Sequence, residues 1–563
     1  MDASRIEKEN QRMIRKMSMT GPNPRNLIIH PLFKNFISRI TDTPTLTKSF
    51  ESIKFYEPNF QFVGENYAIM LPPEIPVVKQ FIADINNSKE TPNIQFWFQP
   101  RLTDVVAAFL VDTDNAPASL LKTFPEENNS AEKAGRKERK NLEIYDLGIE
   151  LFPLDEDCLT MNQHLSFVEG WIFRDLTLVS NCRKALDILI QKLGAYASIT
   201  AIGQYSTAIA RTLPSANDLN NLHLIIIDRN TDLITPCITQ MNYEGLIAEY
   251  FGINCGMVQL SAESKNLFLL SSSVDPLFRT FCHLNHSELS REIASRTNAL
   301  SGALTKKGDQ DFNEIVGNFR KTAQITLDNK TILDHVNIAE ELFKRMTSSK
   351  YLKQSINAEA DALTGNSSLH TIVSEMLEVG GDLREEARML CLETMLRGNV
   401  PEFPKFVQQI CFNHGIQQVP YLMRLCDCGM LDKALIKWSN FVKPFRLYNP
   451  DFDKNGDEAA MSYLGYAPLS IRYVESIVKK DFQGVQKVIG DSFETYQSGT
   501  PQENGTYIVF FVGGCTHSEL NSLRRLAIKG PAKFSVCTTN MFSSREFFES
   551  IGFAIPGWKP IHL

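Results

Sequence analysis

Residues Leu222–Gly252 read LHLIIIDRNTDLITPCITQMNYEGLIAEYFG, and the fold turns on how that stretch is understood. A strongly apolar run, Leu222–Ile227, stops at Asp228 and Arg229, with Asp232, Thr235 and Pro236 just beyond. Such a run reads as a strand buried on both faces, the pattern of a parallel sheet. In open α/β sheets the carboxyl end of a strand is where ligands bind, so the charged cluster poses a choice between an active site and a brace. An arginine between two carboxylates is read more economically as a fixed ion-pair network, because the guanidinium fork matches carboxylates two bonds at a time. Such a network would tie the sheet to the chain leaving it, with Pro236 fixing the exit.

The α/β pattern recurs on both sides of this strand. Upstream, short apolar runs at Asn26–Ile29, Tyr67–Leu71 and Ile94–Phe98 alternate with helical or turn-rich segments, and Asn141–Phe152 adds one more strand. That alternation predicts a small parallel-sheet domain over residues 25–152, after a polar leader over residues 1–24 that is a short helix or poorly ordered. Residues 153–260 repeat the pattern, with a helix near Val179–Gly194. It returns at the far end, where apolar runs at Tyr507–Val512 and Phe534–Thr538 are each followed by a helix. Between these blocks about 200 residues read as helix, with apolar positions at Leu289, Ile293, Leu300 and Leu304, and again at Ile332, Val336, Ala339, Phe343 and Met346. The economical architecture is a second α/β domain over residues 153–260 and 465–563, split by a mainly helical insertion over residues 261–464. A polar interruption, Thr305–Gln310, makes a protruding helical hairpin of residues 287–346.

Composition removes several function classes. A net charge of −7 lacks the basic footprint that broad nucleic-acid binding needs. No apolar stretch reaches the ~20 residues of a bilayer span, so membrane work is expected only through partners. Eleven cysteines, odd in number and without a signal-peptide core upstream, fit reduced thiols in a cytosolic protein. The charge run at residues 132–140 reads as a solvated face.

No catalytic or metal constellation emerges. Gly513–Gly514, after a strand and before a helix, could cradle an anion. The P-loop pattern is absent, however, and Thr516 with Glu519 forms a capping box, as does Ser543 with Glu546. Asp451–Gly456 begins like a calcium loop, but position twelve is Ser462 rather than a glutamate. Cys282-His283-x-x-His286 and Cys426-x-Cys428 lack four ligands at zinc spacing and read as core thiols. No cofactor and no metal are expected.

Four stretches together carry a resemblance. Asp228–Gly252, with Gln240, Tyr243 and Glu249, is similar to the signature of the Sec/Munc (SM) family, and Tyr507–Leu526 (YIVFFVGGCTHSELNSLRRL) resembles that family's C-terminal strand–Gly-Gly–helix segment. Leu464–Arg472 (LGYAPLSIR) and Leu383–Leu396 (LREEARMLCLETML) look like its vacuolar protein sorting-associated protein 33 branch. The resemblance implies a three-domain arch and a non-enzymatic chaperone of SNARE assembly for endosome–lysosome or vacuole fusion. It also implies membership of a HOPS or CORVET tethering complex at late endosomes and lysosomes, docked on the helical solenoid of vacuolar protein sorting-associated protein 16 or its homologue.

SNARE helices zip into a coiled coil, and a groove holding two of them side by side raises their effective concentration. Apolar anchors at helical spacing are what such a groove reads. The hairpin supplies groove candidates at Leu289, Ile293, Leu300, Leu304, Phe312, Ile315 and Phe319, each of which could instead pack internally. Ile416, Val419, Tyr421 and Leu422 are the candidates for the solenoid interface, or for burial within the lobe. Two other functions compete: a bridging subunit that never touches SNAREs, and a hydrolase or nucleotide-dependent enzyme using Asp228, Arg229, Asp232 and the Gly513–Gly514 turn.

Overall fold

The apolar runs of the N-terminal region become β1 (Asn26–Ile29), β2 (Ser52–Phe55), β3 (Asn66–Leu71), β4 (Asn93–Phe98) and β5 (Leu142–Asp146). They form one sheet in the order β2-β1-β3-β4-β5 with every neighbour parallel. Ile69, Phe96 and Phe98 meet Val78 and Phe81 of the helix Ile75–Asn87, and Val106 and Leu110 of the helix Asp104–Asp112. The polar leader is a 17-residue helix, Ala3–Met19. Ile6, Asn10, Ile14 and Met17 fall on one face of it and are buried, and Asn10 donates to the Leu151 carbonyl at 2.9 Å. Its abundant charges hide this stripe from a reading of composition alone.

The computed structural model describes the chain except residues 1–2, 21–25, 42, 64–65, 89–92, 113–141, 215–220, 262–266, 305–329, 348–349, 366, 401, 554, 556–557 and 559–563. Residues 2–153 pack as one unit and residues 154–563 as another.

The second sheet draws β6 (Phe152–Asp155), β7 (Cys158–Thr160), β8 (Ser198–Ile202) and β9 (Leu222–Asp228) from one stretch of chain. After a small antiparallel pair, β10 (Met257–Gln259) and β11 (Leu267–Leu269), the elements among the described residues are all helices until β12 (Thr495–Ser498) and β13 (Thr506–Val512). Then come β14 (Cys515–Thr516), β15 (Lys533–Thr538) and β16 (Met541–Phe542). The order is β12-β8-β9-β13-β15-β7-β6, and β14 pairs separately with β16. β9 and β13 lie side by side and parallel, from Leu222 opposite Thr506 to Asp228 opposite Val512. Both are buried along almost their whole length, as a sheet covered on two faces requires.

The intervening helices include His286–Leu304, 330–347, Lys350–Leu363, His370–Val379, Leu383–Arg397, Phe403–His414 and Val419–Asp427. The helical region does not separate from the split sheet as a packing unit of its own. Buried polar side chains cross between them: Arg388 holds Glu359 at 2.8 Å and donates to the Cys237 carbonyl, while Glu359 accepts from the Thr239 amide at 2.9 Å.

Candidate functional site

At the carboxyl end of β9, Asp228, Arg229 and Asp232 are fully buried. Asp228 faces the first turn of the helix Gln204–Thr212, where its carboxylate accepts from the Tyr205 and Ser206 amides, both at 2.8 Å, and from the Ser206 hydroxyl. A helix N-terminus is a ready anion site, and here the chain fills it with its own carboxylate. A Cβ at Gly203 would stand 2.3 Å from Asp228 Oδ2, so the approach needs glycine. Burial pushes the Asp228 carboxyl up to about 7, against the hydrogen bonds from Ser206 and Tyr205.

Arg229 turns the other way. Its Nη1 donates to both oxygens of Glu519 at 2.9 and 2.8 Å, and its Nε and Nη2 donate to the Asp232 carbonyl at 3.0 and 2.7 Å. Burial works against the guanidinium charge, but Glu519 and Asp232 outweigh it and hold the group above its usual pKa. Asp232 accepts from Thr235 Oγ1 at 2.6 Å and from the Ser470 amide at 3.0 Å. Glu519 closes the capping box with the Thr516 amide at 2.8 Å and accepts from the Ser470 hydroxyl. Tyr466 reaches Thr235 at 2.8 Å and Tyr463 reaches Thr516 at 2.8 Å. Three of the four stretches that carried the resemblance therefore meet in one knot. The fourth joins through Arg388, which pins the chain just after Pro236.

The Gly513–Gly514 turn is also filled. A Cβ at Gly513 would lie 2.4 Å from the Trp171 ring and 2.9 Å from Arg229 Cβ, and one at Gly514 would lie 2.4 Å from the Phe542 ring. These glycines admit side chains of the same molecule, which leaves no cradle for a phosphate. Gln240 and Glu249 extend the knot: Gln240 accepts from the Ser518 amide at 2.7 Å and donates to Glu249 at 2.8 Å. No group of three metal-ligating side chains occurs among the described residues.

This knot coincides with a family match. The Sec1 family model covers residues 25–550. The chain belongs to the Sec1 family. Among its relatives, vacuolar protein sorting-associated protein 33A of Rattus norvegicus is 23% identical over 454 residues, covering 72% of this chain and 76% of that one. The vacuolar protein-sorting-associated protein 33 homolog of Arabidopsis thaliana is 24% identical over 464 residues, with the same coverage. The structure of the SM protein Vps45 in complex with the Qa SNARE Tlg2 superposes with a TM-score of 0.58 at 14% identity, covering 100% of both chains. The Unc18–syntaxin 1 complex from Monosiga brevicollis gives 0.54 at 13% identity, covering 97% of this chain and 98% of that one. The fold is the SM fold.

In this Sec1-family chain the groove candidates separate. Leu289 is 2% exposed and belongs to a core with Phe281, Ile338 and Leu342, against which Ile293 also packs. Leu289 is therefore core rather than groove: it sits in the first turns of the helix His286–Leu304, against the helix 330–347. Leu300 and Leu304 lie nearer the end of the same helix. Phe312, Ile315 and Phe319 fall outside the described residues, as do the polar tip at 305–310 and the charge run at 132–140.

The solenoid candidates separate as well. Tyr421 is fully buried, stacked on Trp558 with ring centroids 4.8 Å apart, and its hydroxyl donates to the Phe548 carbonyl at 3.2 Å. Leu422 is buried too, so both belong to the lobe's interior. Ile416 is 78% exposed and Val419 is half-buried. Phe412, at 86%, and Met423, at 58%, are exposed neighbours in sequence that the sequence reading passed over.

Sequence reasoning also missed Glu519 as the partner of Arg229, and Ser470, Tyr463 and Tyr466 as members of the knot. The capping box was the only local sign of Glu519, and it explained that residue without any distant partner.

Proposed function

We propose that the chain is a non-enzymatic chaperone of SNARE assembly, acting as a subunit of a HOPS- or CORVET-type tethering complex in endosome–lysosome or vacuole fusion. The observation that carries this reading is the Sec1-family match over residues 25–550. The Vps45–Tlg2 and Unc18–syntaxin 1 structures hold relatives bound to SNAREs, and the vacuolar protein sorting-associated relatives point the branch toward the endosome–vacuole route. The buried knot favours the same reading over a hydrolase, since water and substrate have no access to carboxylates that are fully enclosed and hydrogen-bonded. Among the described residues no helix is long and apolar enough to cross a membrane, consistent with recruitment through partners.

The mechanism is templating. The outer part of the hairpin, with Leu300 and Leu304 and the candidates at Phe312, Ile315 and Phe319, would present apolar anchors to SNARE helices and hold them in register before zipping. The exposed group at Ile416 also supports a bridging role, with the C-terminal solenoid of vacuolar protein sorting-associated protein 16 or its homologue as its partner. Purified chain mixed with single SNARE motifs of the Qa and R classes tests the chaperone. Saturable binding of the isolated chain to at least one of them is expected. Solenoid binding with no SNARE binding would leave the bridging role in its place.

A further inference from the structure

The helix Ala3–Met19 is packed on one side and carries a row of cations on the other. Its inner stripe of Ile6, Asn10, Ile14 and Met17 is buried, which fixes the turn of the helix about its axis. Asn10 donates to the Leu151 carbonyl at 2.9 Å, and just past the helix end the Thr20 carbonyl accepts from Gln95 Nε2 at 2.7 Å. The Met13 methyl lies against Gly148, 3.3 Å from where a Cβ would stand. At about 100° per residue, Arg5, Lys8, Arg12, Arg15 and Lys16 share about 100° of arc opposite the buried stripe. All five are exposed, in a row about 17 Å long at about 1.5 Å per residue.

Most of this charge has no counterpart within the fold. The side chains of Lys8, Arg12, Arg15 and Lys16 have no ion-pair or hydrogen-bond partner among the described residues. Cations in a last turn offset the helix dipole, which accounts for Arg15 and Lys16 but not for Lys8 and Arg12. Lys8, Arg12 and Lys16 also follow one another at intervals of four residues, so like charges repel along the helix surface. A facing layer of negative charge would turn that repulsion into attraction. The helix's own carboxylates do not form such a layer, since Glu9 borders the row and Glu7 lies beside the buried stripe.

The chemistry of the missing partner follows from what the face lacks. Its one exposed large apolar side chain is Met19, 76% exposed, at the end of the row. Protein interfaces are anchored on apolar or aromatic groups buried at their centre, and this face offers no such anchor. Anionic lipid headgroups need none. They move laterally to meet fixed cations, and four or more Lys and Arg on an amphipathic helix are the pattern that attracts them.

We propose that the outer face of the helix Ala3–Met19 is a docking surface for an anionic bilayer, with Lys8, Arg12, Arg15 and Lys16 set against its headgroups. The contact is electrostatic and peripheral, because the apolar stripe stays in the domain and does not insert. It adds a direct attachment to recruitment through partners, and it stands apart from the SNARE reading, which neither supports nor requires it. Exposed charges are screened beyond about 10 Å at about 0.1 M salt, so the attachment is reversible and salt-sensitive.

The test is flotation of the full chain with phosphatidylcholine vesicles containing about 30% phosphatidylserine, against vesicles of phosphatidylcholine alone. At about 0.1 M salt the partition coefficient on the anionic vesicles is expected to be at least tenfold higher, and to fall to the neutral-vesicle level at about 0.5 M. Arg12→Gln combined with Arg15→Gln is expected to lower it about 25-fold, about fivefold for each cation, with the thermal unfolding transition unchanged. Lys405→Gln combined with Lys454→Gln removes the same charge from exposed positions elsewhere and is expected to leave it unchanged. Equal binding to the two vesicles, no binding to either, or binding untouched by the Arg12 and Arg15 substitutions would overturn the proposal. Capture of the chain by soluble polyglutamate with no flotation would also overturn it, and would assign the face to an acidic polypeptide instead.

Discussion

Asp228 stands where an open α/β sheet ordinarily meets the negative charge of a ligand, and it supplies that charge itself. Its raised pKa fixes the sign of a pH effect. A carboxyl that holds its proton more tightly folded than unfolded adds stability below about pH 4, and that contribution is lost as the pH rises toward 7. Asp228→Asn has no such titration. The stability of the Asn variant relative to the parent, measured by urea unfolding, is therefore expected to improve steadily from pH 4 to pH 7; a constant difference would show that the carboxyl titrates normally. At Arg229 the expectation is a large loss. Arg229→Met leaves the Glu519 and Asp232 carboxylates buried and short of their cation, at a cost on the order of 3–5 kcal/mol. Adding Glu519→Gln is expected to recover part of it, which a double-mutant cycle in denaturant reads directly. The cluster's residues were legible from sequence, and the structure encloses all three. The cluster's wiring was not legible, because Arg229 and Glu519 are 290 residues apart and nothing in the local pattern of either names the other.

Among elements, legibility followed periodicity. The strand at Leu222–Asp228 and the capped helices after Thr516 and Ser543 could be read because their signals lie within a few neighbouring residues. Helical spacing, in contrast, marks an apolar face without saying what covers it. Leu289 shares the spacing of Leu300 and Leu304, yet it is sealed against the helix 330–347. Tyr421 and Leu422 are sealed likewise, while Ile416, a few residues earlier, faces solvent. The distinction gives opposite expectations for the same chemistry. Leu289→Asp buries a charge in the core and is expected to abolish cooperative thermal unfolding. Leu300→Asp is expected to leave the unfolding transition within about 2 °C of the parent while weakening SNARE binding about tenfold or more. Global unfolding in the second variant would place Leu300 in the interior.

At the scale of the whole molecule, the exposed group of Phe412, Ile416 and Met423 is the feature to test in an assembly. Ile416→Asp is expected to cut recovery of the C-terminal solenoid of vacuolar protein sorting-associated protein 16 or its homologue at least several-fold in a pulldown, with the unfolding transition unchanged. Full recovery would remove this surface from consideration. The split of the second sheet was visible in the sequence as an α/β pattern that vanished and came back. Its strand order was not, since pairing partners leave no local trace when the intervening loop is this long.

The pairing of β9 with β13 bears on how the protein is made. A ribosome delivers Leu222–Asp228 long before Thr506–Val512, so the nascent β9 waits with one flank unsatisfied while the helices between them are translated. An apolar strand held open that long invites association with other chains. A premature stop between residues 228 and 506 would therefore yield an aggregating fragment rather than a working partial protein, however much of the helical region it contained.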